Sequence, residues 1–282
     1  MSNIAGGAIM IDCQELTIGD TVVHVSGSGY PLIFVHGFTT TAEFWREQVV
    51  EYSKMYKVVR INLPGHGVSP RPERRRYTIE AFVEDLERVY RHLALDEAFL
   101  VGLSMGGTIA QSFAIRFPHL VRALVLVGAT SHGLGPDVNV DNVLRAIESL
   151  GVVQASKSVI ERSFGSSAPL ALIDFAKHEV AQTPDFVARE AIASLNASDT
   201  RELLDHICIP TLVVVGDEDA ITPPQEAELL AAGIPGSELF IIRGAGHFPM
   251  LEQPDMFNRR LSAFLERHRG DATRVDGITA SA

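Results

Sequence analysis

One short segment constrains the fold of this chain more than any other: Gly102-Leu103-Ser104-Met105-Gly106-Gly107. An apolar run over 98–101 precedes it and indicates a buried strand. Apolar residues at helical spacing follow it over 108–117, and Pro118 ends that pattern. A strand that turns directly into a helix needs a sharp, strained turn, and small flanking residues let the two elements approach each other. The segment therefore predicts a strand, a tight turn at Ser104 and a helix.

A serine at such a turn is placed for chemistry, in the pattern G-x-S-x-G. The side-chain oxygen of Ser104 is expected to stand clear of the sheet, with the N-terminus of the next helix pointing at it. A helix N-terminus favours negative charge, and negative charge develops in the transition state of acyl transfer. We predict that Ser104 is a catalytic nucleophile. The alternative is a glycine-rich turn with an incidental serine, and the other candidate residues decide between the two.

Aliphatic runs alternate with helical patterns along most of the chain. The runs predict strands, and they cover 31–35, 57–61, 98–101, 123–127, 211–215 and 239–242. The near-continuous run 31–35 is typical of a strand buried on both faces. A weaker alternation over 21–25 predicts an edge strand. Strands of this kind joined by helices indicate an α/β fold with a mostly parallel central sheet flanked by helices.

The alternation stops over 131–200, where helical patterns such as 140–150 and 186–195 occur without an aliphatic strand. We predict that 131–200 is a helical cap inserted into a core formed by 20–130 and 201–268. The termini, 1–15 and 269–282, carry no strong pattern and are expected to be poorly ordered.

Composition narrows the possible partners. The chain has 282 residues and a formal net charge of −11, which argues against nucleic acid or an anionic membrane as a partner. No apolar run approaches the roughly 18 residues of a membrane span, and no secretion signal is visible. Cys13 and Cys208 lie in apolar contexts and are predicted to be unpaired core cysteines in a reducing compartment. We expect a cytoplasmic monomer or homodimer that acts on a small molecule.

A serine hydroxyl needs a base, and His247 is the best candidate among ten histidines. It lies in a glycine-rich loop just after the last predicted strand, at the sheet edge where open α/β sheets hold their active sites. The base in turn needs a carboxylate to orient it. Three acids follow the strand 211–215 and are available for this role: Asp217, Glu218 and Asp219.

The oxyanion of an acyl-transfer intermediate requires two preorganised donors. One is expected to be the backbone N–H of Met105, and the loop after the strand ending at Val35 points to Phe38 for the other. His36 and His66 also lie in glycine-rich loops, where they are predicted to shape the backbone. The basic loop 71–76 is predicted to be a solvated surface loop, with an anchor for an anionic substrate as the alternative. Its candidate anchors are Arg71, Arg74, Arg75 and Arg76.

Five ordered motifs together resemble the α/β-hydrolase fold superfamily over about 20–268: His36-Gly37-Phe38, Leu63-Pro64-Gly65-His66-Gly67-Val68-Ser69, the Ser104 segment, Gly216-Asp217-Glu218-Asp219 and Gly244-Ala245-Gly246-His247. In that family the triad acid is usually the last residue of a G-x-x-D pattern. The resemblance therefore implies Asp219, with Asp217 as the second choice. The helical insertion corresponds to the variable cap of the family.

Within the superfamily, segments around Asp199 and Ala232 are similar to 3-oxoadipate enol-lactonases, although they recur in carboxylesterases and in carbon–carbon bond hydrolases. The predicted function is hydrolysis of a carboxylic ester or lactone by Ser104, Asp219 and His247, with Leu103 and Phe248 in the substrate pocket. No metal or organic cofactor is expected. A carbon–carbon hydrolase or a cofactor-free perhydrolase on the same triad remains an alternative. A small-ligand receptor with slow turnover is another.

Overall fold

The computed structural model describes residues 12–134 and 138–269. Its centre is an eight-stranded sheet with the order β1-β2-β4-β3-β5-β6-β7-β8. Strand β2 is antiparallel to both of its neighbours, β1 and β4. In sheet order from β4 to β8, every pairing is parallel. The strands are β1 Cys13–Ile18, β2 Thr21–Ser26, β3 Tyr30–Val35, β4 Tyr56–Asn62, β5 Ala98–Leu103, β6 Val121–Val127, β7 Thr211–Gly216 and β8 Glu238–Ile242. The mostly parallel sheet predicted from the aliphatic runs is confirmed.

Helices cover the sheet and form the insertion. They are α1 Arg46–Tyr52, α2 Ile79–His92, α3 Met105–Arg116, α4 Val140–Arg162, α5 Leu170–Val180, α6 Asp185–Ala197, α7 Pro224–Gly233, α8 Pro249–Glu252 and α9 Pro254–His268, with short 3₁₀ helices at Ala42–Trp45, Pro118–Leu120 and Arg201–His206. Within the described ranges, no helix is both long and apolar enough to cross a membrane.

Burial on both faces explains the continuous aliphatic strands β3 to β7, whereas the edge strand β8 has only Ile242 buried. Along β3, Ile33 and Val35 pack into one apolar cluster with α2 and α3, while Leu32 and Phe34 pack into a second cluster on the opposite face. Because successive side chains of a strand point to opposite faces, a strand covered on both sides has no polar face to show. This double cover holds the strand ends, and the loops that follow them, in a rigid frame.

The N-terminal edge of the sheet differs from the prediction. Cys13, Gln14 and Glu15 belong to β1, so the expectation of a poorly ordered terminus is wrong for these three residues. As a result, β1 is the edge strand and β2 is second from the edge. Only Ile18 of β1 is buried, and a strand that contributes so little to the core leaves little apolar pattern in the sequence. The predictions for 1–11 and 270–282 lie outside the described residues.

Both cysteines are also placed differently from the prediction. Cys13 and Cys208 are free, and both are exposed rather than part of the core. Cys13 lies on the mostly exposed β1, and Cys208 lies in the segment between the last 3₁₀ helix and β7. An apolar neighbourhood in sequence did not mean burial here, because both segments are at the surface.

Three helices, α4 to α6, occupy most of the predicted insertion 131–200. An isolated β-bridge between His132 and Asp199 joins the two ends of this segment, so it leaves and re-enters the core at one point. Helix α4 continues past the predicted 140–150 to Arg162, with a kink at Gly151 where φ is 77°. The connection between α4 and α5 reaches the loops that follow β7 and β8, because Ser166 donates to Glu218 and the carbonyl of Ser163 accepts the N–H of His247.

Candidate active site

Ser104 lies at the turn between β5 and α3 with φ 52° and ψ −117°, in the left-handed region that favours glycine. Close packing enforces this strained conformation. A Cβ on Gly102 would lie 2.3 Å from the carbonyl oxygen of Gly106, and a Cβ on Gly106 would lie 2.4 Å from the carbonyl oxygen of His36. Glycine is therefore required on both sides of the serine, as the G-x-S-x-G pattern predicts.

The two predicted oxyanion donors lie beside this turn. Met105 is the first residue of α3, and a Cβ on Gly37 would lie only 3.2 Å from Cβ of Ser104, so the loop that carries Phe38 contacts the serine directly. In the part of the chain that the structure describes, neither the Phe38 nor the Met105 N–H donates to a protein acceptor. Two N–H groups without a protein acceptor beside a serine are available as donors to an oxyanion.

His247 and Asp219 form a buried pair. The Nδ1 atom of His247 lies 2.8 Å from Oδ2 of Asp219, and the two side chains are 5% and 0% exposed. Asp219 Oδ1 accepts the N–H groups of Ile221 and Thr222 at 2.9 Å each, and the Thr222 hydroxyl donates to Oδ2 at 2.8 Å. Burial raises the pKa of Asp219, but the charge of His247 and these hydrogen bonds outweigh it and leave that pKa below its ordinary value.

The other two acids of this loop have different partners. Asp217 is exposed, and its Oδ1 accepts the N–H of Gly244 at 2.7 Å. Glu218 accepts the N–H and the hydroxyl of Ser166 in the insertion. Of the three acids that sequence reasoning left open, the structure places Asp219 against the histidine and turns the second choice, Asp217, towards the main chain.

The end of β6 brings the serine and the histidine to one place. The N–H of Ser104 donates to the carbonyl of Val127 at 2.8 Å. The next residue, Gly128, has φ 51°, and a Cβ there would lie 3.0 Å from Nδ1 of His247. Sequence reasoning missed Gly128 because it searched that loop only for an acid. A glycine directly after a buried strand is the signal that could have identified it.

Glu252 supports the histidine loop and was also missed. Its carboxylate accepts the N–H groups on both sides of His247, those of Gly246 and Phe248, at 3.1 Å each. It also accepts the N–H of Gly165 in the insertion at 2.7 Å. Burial raises the pKa of Glu252, although the three hydrogen bonds oppose that shift. Nothing in the local sequence pattern distinguishes this carboxylate from one at the surface.

The predicted pocket residues are buried. Phe248 packs between Phe44 of the core and Phe164 of the insertion, with ring centroids 5.0 and 5.1 Å apart. Leu103 is completely buried and belongs to the same apolar cluster as Phe248. The side of the site next to His247 is therefore an apolar wall to which core and insertion both contribute.

The basic loop 71–76 is tied to the protein. Arg75 pairs with Asp20 and Asp85, and Arg76 pairs with Glu190 of the insertion. Arg71 donates to the main-chain carbonyls of Gly67 and Gln182, and Arg74 is exposed. These partners give the loop a structural task, which is to join the core to the insertion.

The two other loop histidines are completely buried, and their partners are main-chain groups. Nε2 of His36 accepts the N–H of Leu63 at 3.0 Å, and Nδ1 of His66 lies 3.1 Å from the carbonyl of Pro64. Burial lowers the pKa of His66 to about 4 and holds that of His36 well below its ordinary value. Both imidazoles are therefore neutral at pH 7. Within the ranges described, no group of three or more His, Cys, Asp or Glu side chains could hold a metal ion.

The parallel sheet, the strained serine after β5, the acid after β7 and the histidine after β8 define a hydrolase architecture. The model of the alpha/beta hydrolase family matches residues 32–260. The chain belongs to this family and is a hydrolytic enzyme.

Similarity to known proteins extends over most of the chain. A 2-hydroxy-6-oxo-2,4-heptadienoate hydrolase of Pseudomonas putida is 29% identical over 87% of this chain and 92% of its own. The 3-oxoadipate enol-lactonase 2 of Acinetobacter baylyi is 27% identical over 84% of this chain and 88% of its own. A thermophilic esterase from Thermogutta terrifontis has a TM-score of 0.81 and 28% identity, covering 91% of this chain and 99% of that structure.

Proposed function

We propose that the enzyme hydrolyses a carboxylic ester or lactone of a small to medium substrate, with Ser104, His247 and Asp219 as its triad. The observation that carries the proposal is the buried 2.8 Å contact between His247 Nδ1 and Asp219 Oδ2. A carboxylate on Nδ1 fixes the tautomer whose Nε2 is free to accept a proton. Ser104, on its strained turn, is the nucleophile that this base serves.

In the proposed mechanism, the Ser104 oxygen attacks the substrate carbonyl carbon while Nε2 of His247 takes the hydroxyl proton. Asp219 stabilises the imidazolium that results. The N–H groups of Phe38 and Met105 bind the tetrahedral oxyanion, and each donor contributes about 2.7–4 kcal/mol. The intermediate collapses when the alkoxide leaves and takes the proton from His247. A water then attacks the acyl-enzyme in the same way, which releases the acid and restores Ser104.

Two kinds of observation support this substrate class. Relatives at 27–28% identity are named as an enol-lactonase and an esterase, so ester and lactone chemistry occurs among similar chains. The wall formed by Phe44, Phe164 and Phe248 favours an apolar substrate. Because Arg71, Arg75 and Arg76 are bound to protein groups, a neutral substrate fits better than one anchored by the basic loop.

A second candidate is hydrolysis of a vinylogous diketone. It is favoured by the 29% identity to the 2-hydroxy-6-oxo-2,4-heptadienoate hydrolase over 92% of that protein. The same nucleophile and base would serve this reaction, so the choice rests on the substrate that the enzyme turns over.

The test is turnover of p-nitrophenyl butyrate, an enol-lactone and a 6-oxo-2,4-dienoate by wild type, Ser104→Ala and Ser112→Ala. Ser112 lies in α3, and its side chain makes no hydrogen bond to the proposed triad in the described part of the chain, so its variant is the matched control. We expect Ser104→Ala to lower kcat by at least about 10³ with circular dichroism unchanged, and Ser112→Ala to keep wild-type rates. Equal activity in both variants would rule out Ser104 as nucleophile. Turnover of the dienoate alone would select the second candidate.

A further inference from the structure

One buried carboxylate of the insertion has no part in the mechanism above. Glu179, near the end of α5, is 7% exposed. Its side chain has one hydrogen-bond partner among the described residues, the Thr41 hydroxyl, which donates to Oε2. No cationic nitrogen of the described residues lies within 4.0 Å of this carboxylate. A buried carboxylate is ordinarily paired with a cation or well supplied with donors, because the interior disfavours an uncompensated charge. The burial of Glu179 with a single hydrogen-bond donor is an exception to this rule, and stability of the fold does not explain it.

The partner of Glu179 lies in the loop of the proposed oxyanion donor. This loop, Gly37–Thr41, turns at Phe38, where Thr40 donates through both its N–H and its hydroxyl to the carbonyl of Gly37. Thr41 then caps the 3₁₀ helix Ala42–Trp45 by accepting the N–H of Glu43. The carboxylate of Glu179 thus contacts the loop three residues after Phe38.

The backbone of this loop is strained. Thr39 has φ 55°, in the left-handed region where a β-branched residue is a genuine outlier. Strained residues persist only where surrounding contacts over-determine them. The insertion supplies two such contacts on either side of Thr40, because Thr183 donates to the carbonyl of Thr39 at 3.4 Å and Glu179 accepts from Thr41.

We propose that Glu179 is a positioning residue that holds the oxyanion loop from the insertion and so keeps the N–H of Phe38 in place for catalysis. The inference rests on the proposed function, since it takes Phe38 as an oxyanion donor. Hydrogen bonds that involve a charged partner are shorter and stronger than neutral ones, which suits a carboxylate to this task. In this arrangement the insertion completes the oxyanion hole through the contact between Glu179 and Thr41.

The experiment measures kcat and KM for p-nitrophenyl butyrate in Glu179→Gln, Glu179→Ala, Thr41→Val and the double variant Glu179→Ala/Thr41→Val. Glu190→Gln is the control, because it removes another contact between insertion and core, the ion pair with Arg76, away from the oxyanion loop. We expect Glu179→Ala to lower kcat by about 10- to 100-fold with KM within about twofold, since small misplacements of catalytic groups have effects of this size. Glu179→Gln keeps an acceptor and should recover part of the loss, and the double variant should lose no more than the larger single loss.

Four results would overturn the inference. An equal loss of kcat in Glu190→Gln would mean that any loosening of the insertion has this effect. Additive losses in the double variant would separate Glu179 from Thr41. A kcat that rises in Glu179→Gln would mean that the negative charge opposes the oxyanion rather than positions its donor. Ser104→Ala in the same assay separates the two proposals: if it is inactive while Glu179 variants are unchanged, only the positioning role fails.

Discussion

The sheet core and the helical insertion use their apolar residues differently. Strands β5 and β7 of the core are buried at every position. Of twelve exposed large apolar side chains among the described residues, six lie in the insertion: Val138, Leu150, Val153, Val159, Leu170 and Phe186. The core is thus held by burial on two faces of a sheet, whereas the insertion packs one side against it and leaves apolar groups at the surface.

Hydrogen bonds also attach the insertion to the core at a few places. Glu179, Ser166 and Gly165 of the insertion bond to Thr41, Glu218 and Glu252, and each of these partners lies in or next to a loop that carries a proposed catalytic group. The difference between the regions shows a division of tasks. The core carries the proposed reacting groups on doubly covered strands, and the insertion makes hydrogen bonds to the loops that carry them.

The largest effect is expected inside the core, from Asp219→Asn. Loss of the carboxylate that holds His247 should lower kcat by about 10⁴ through the wrong imidazole tautomer. Asp217→Asn is the matched control two residues away, since Asp217 is exposed and, among the described residues, its side chain bonds only the N–H of Gly244. Steady-state kinetics on p-nitrophenyl butyrate measures both. A comparable loss in Asp217→Asn would contradict the assignment of the acid.

The next effect concerns stability in acid, and it is expected from two buried histidines of the core, His36 and His66. His66 has a folded-state pKa of about 4 against 6.5 in the unfolded chain, so between these pH values the unfolded state binds more protons. The free energy of unfolding should therefore fall as pH drops from 7 to 5, by about 2 kcal/mol from His66 alone. His36 shifts in the same direction and adds to the fall.

Urea unfolding followed by the fluorescence of Trp45, the single tryptophan, measures this pH dependence. An equal free energy of unfolding at pH 7 and pH 5 would show that the two buried imidazoles do not destabilise the fold in acid.

The smallest effect is expected from Gly151→Ala at the kink of α4. Gly151 has φ 77°, and a Cβ there would lie 3.6 Å from Oδ2 of Asp185, an ordinary contact, so an alanine meets backbone strain of about 1 kcal/mol without a clash. Gly236→Ala in the core is the matched control, with φ 70° and open space around it. Both should lower the free energy of unfolding by similar amounts, measured by urea titration. Only Gly151→Ala should also raise KM, because only it deforms the insertion. A changed KM in Gly236→Ala instead would weaken the proposed division of tasks.

Much of the core could be predicted from the sequence. The aliphatic runs identified β3 to β8. For β3 to β7 the reason is that a strand buried on both faces shows its burial in consecutive residues, whereas β8 lies at the sheet edge with Ile241 exposed. The strained turn at Ser104 was also predictable, because the glycines that permit it lie within two residues of the serine. By contrast, β1 was missed: its partner, rather than its own apolar pattern, makes it a strand.

Local pattern thus defined the fold class, the parallel sheet, the turn at Ser104 and the loops that hold the candidate acids and histidine. Tertiary structure decided which acid meets His247, which carboxylate bonds the His247 loop and which carboxylate of the insertion bonds the loop after Phe38. The physical reason is distance along the chain. The hydrogen bonds of Asp219 with His247, of Glu252 with Gly165 and of Glu179 with Thr41 join residues 28, 87 and 138 positions apart. A carboxylate in a sequence carries no mark of such a partner, and only the folded chain brings the two together.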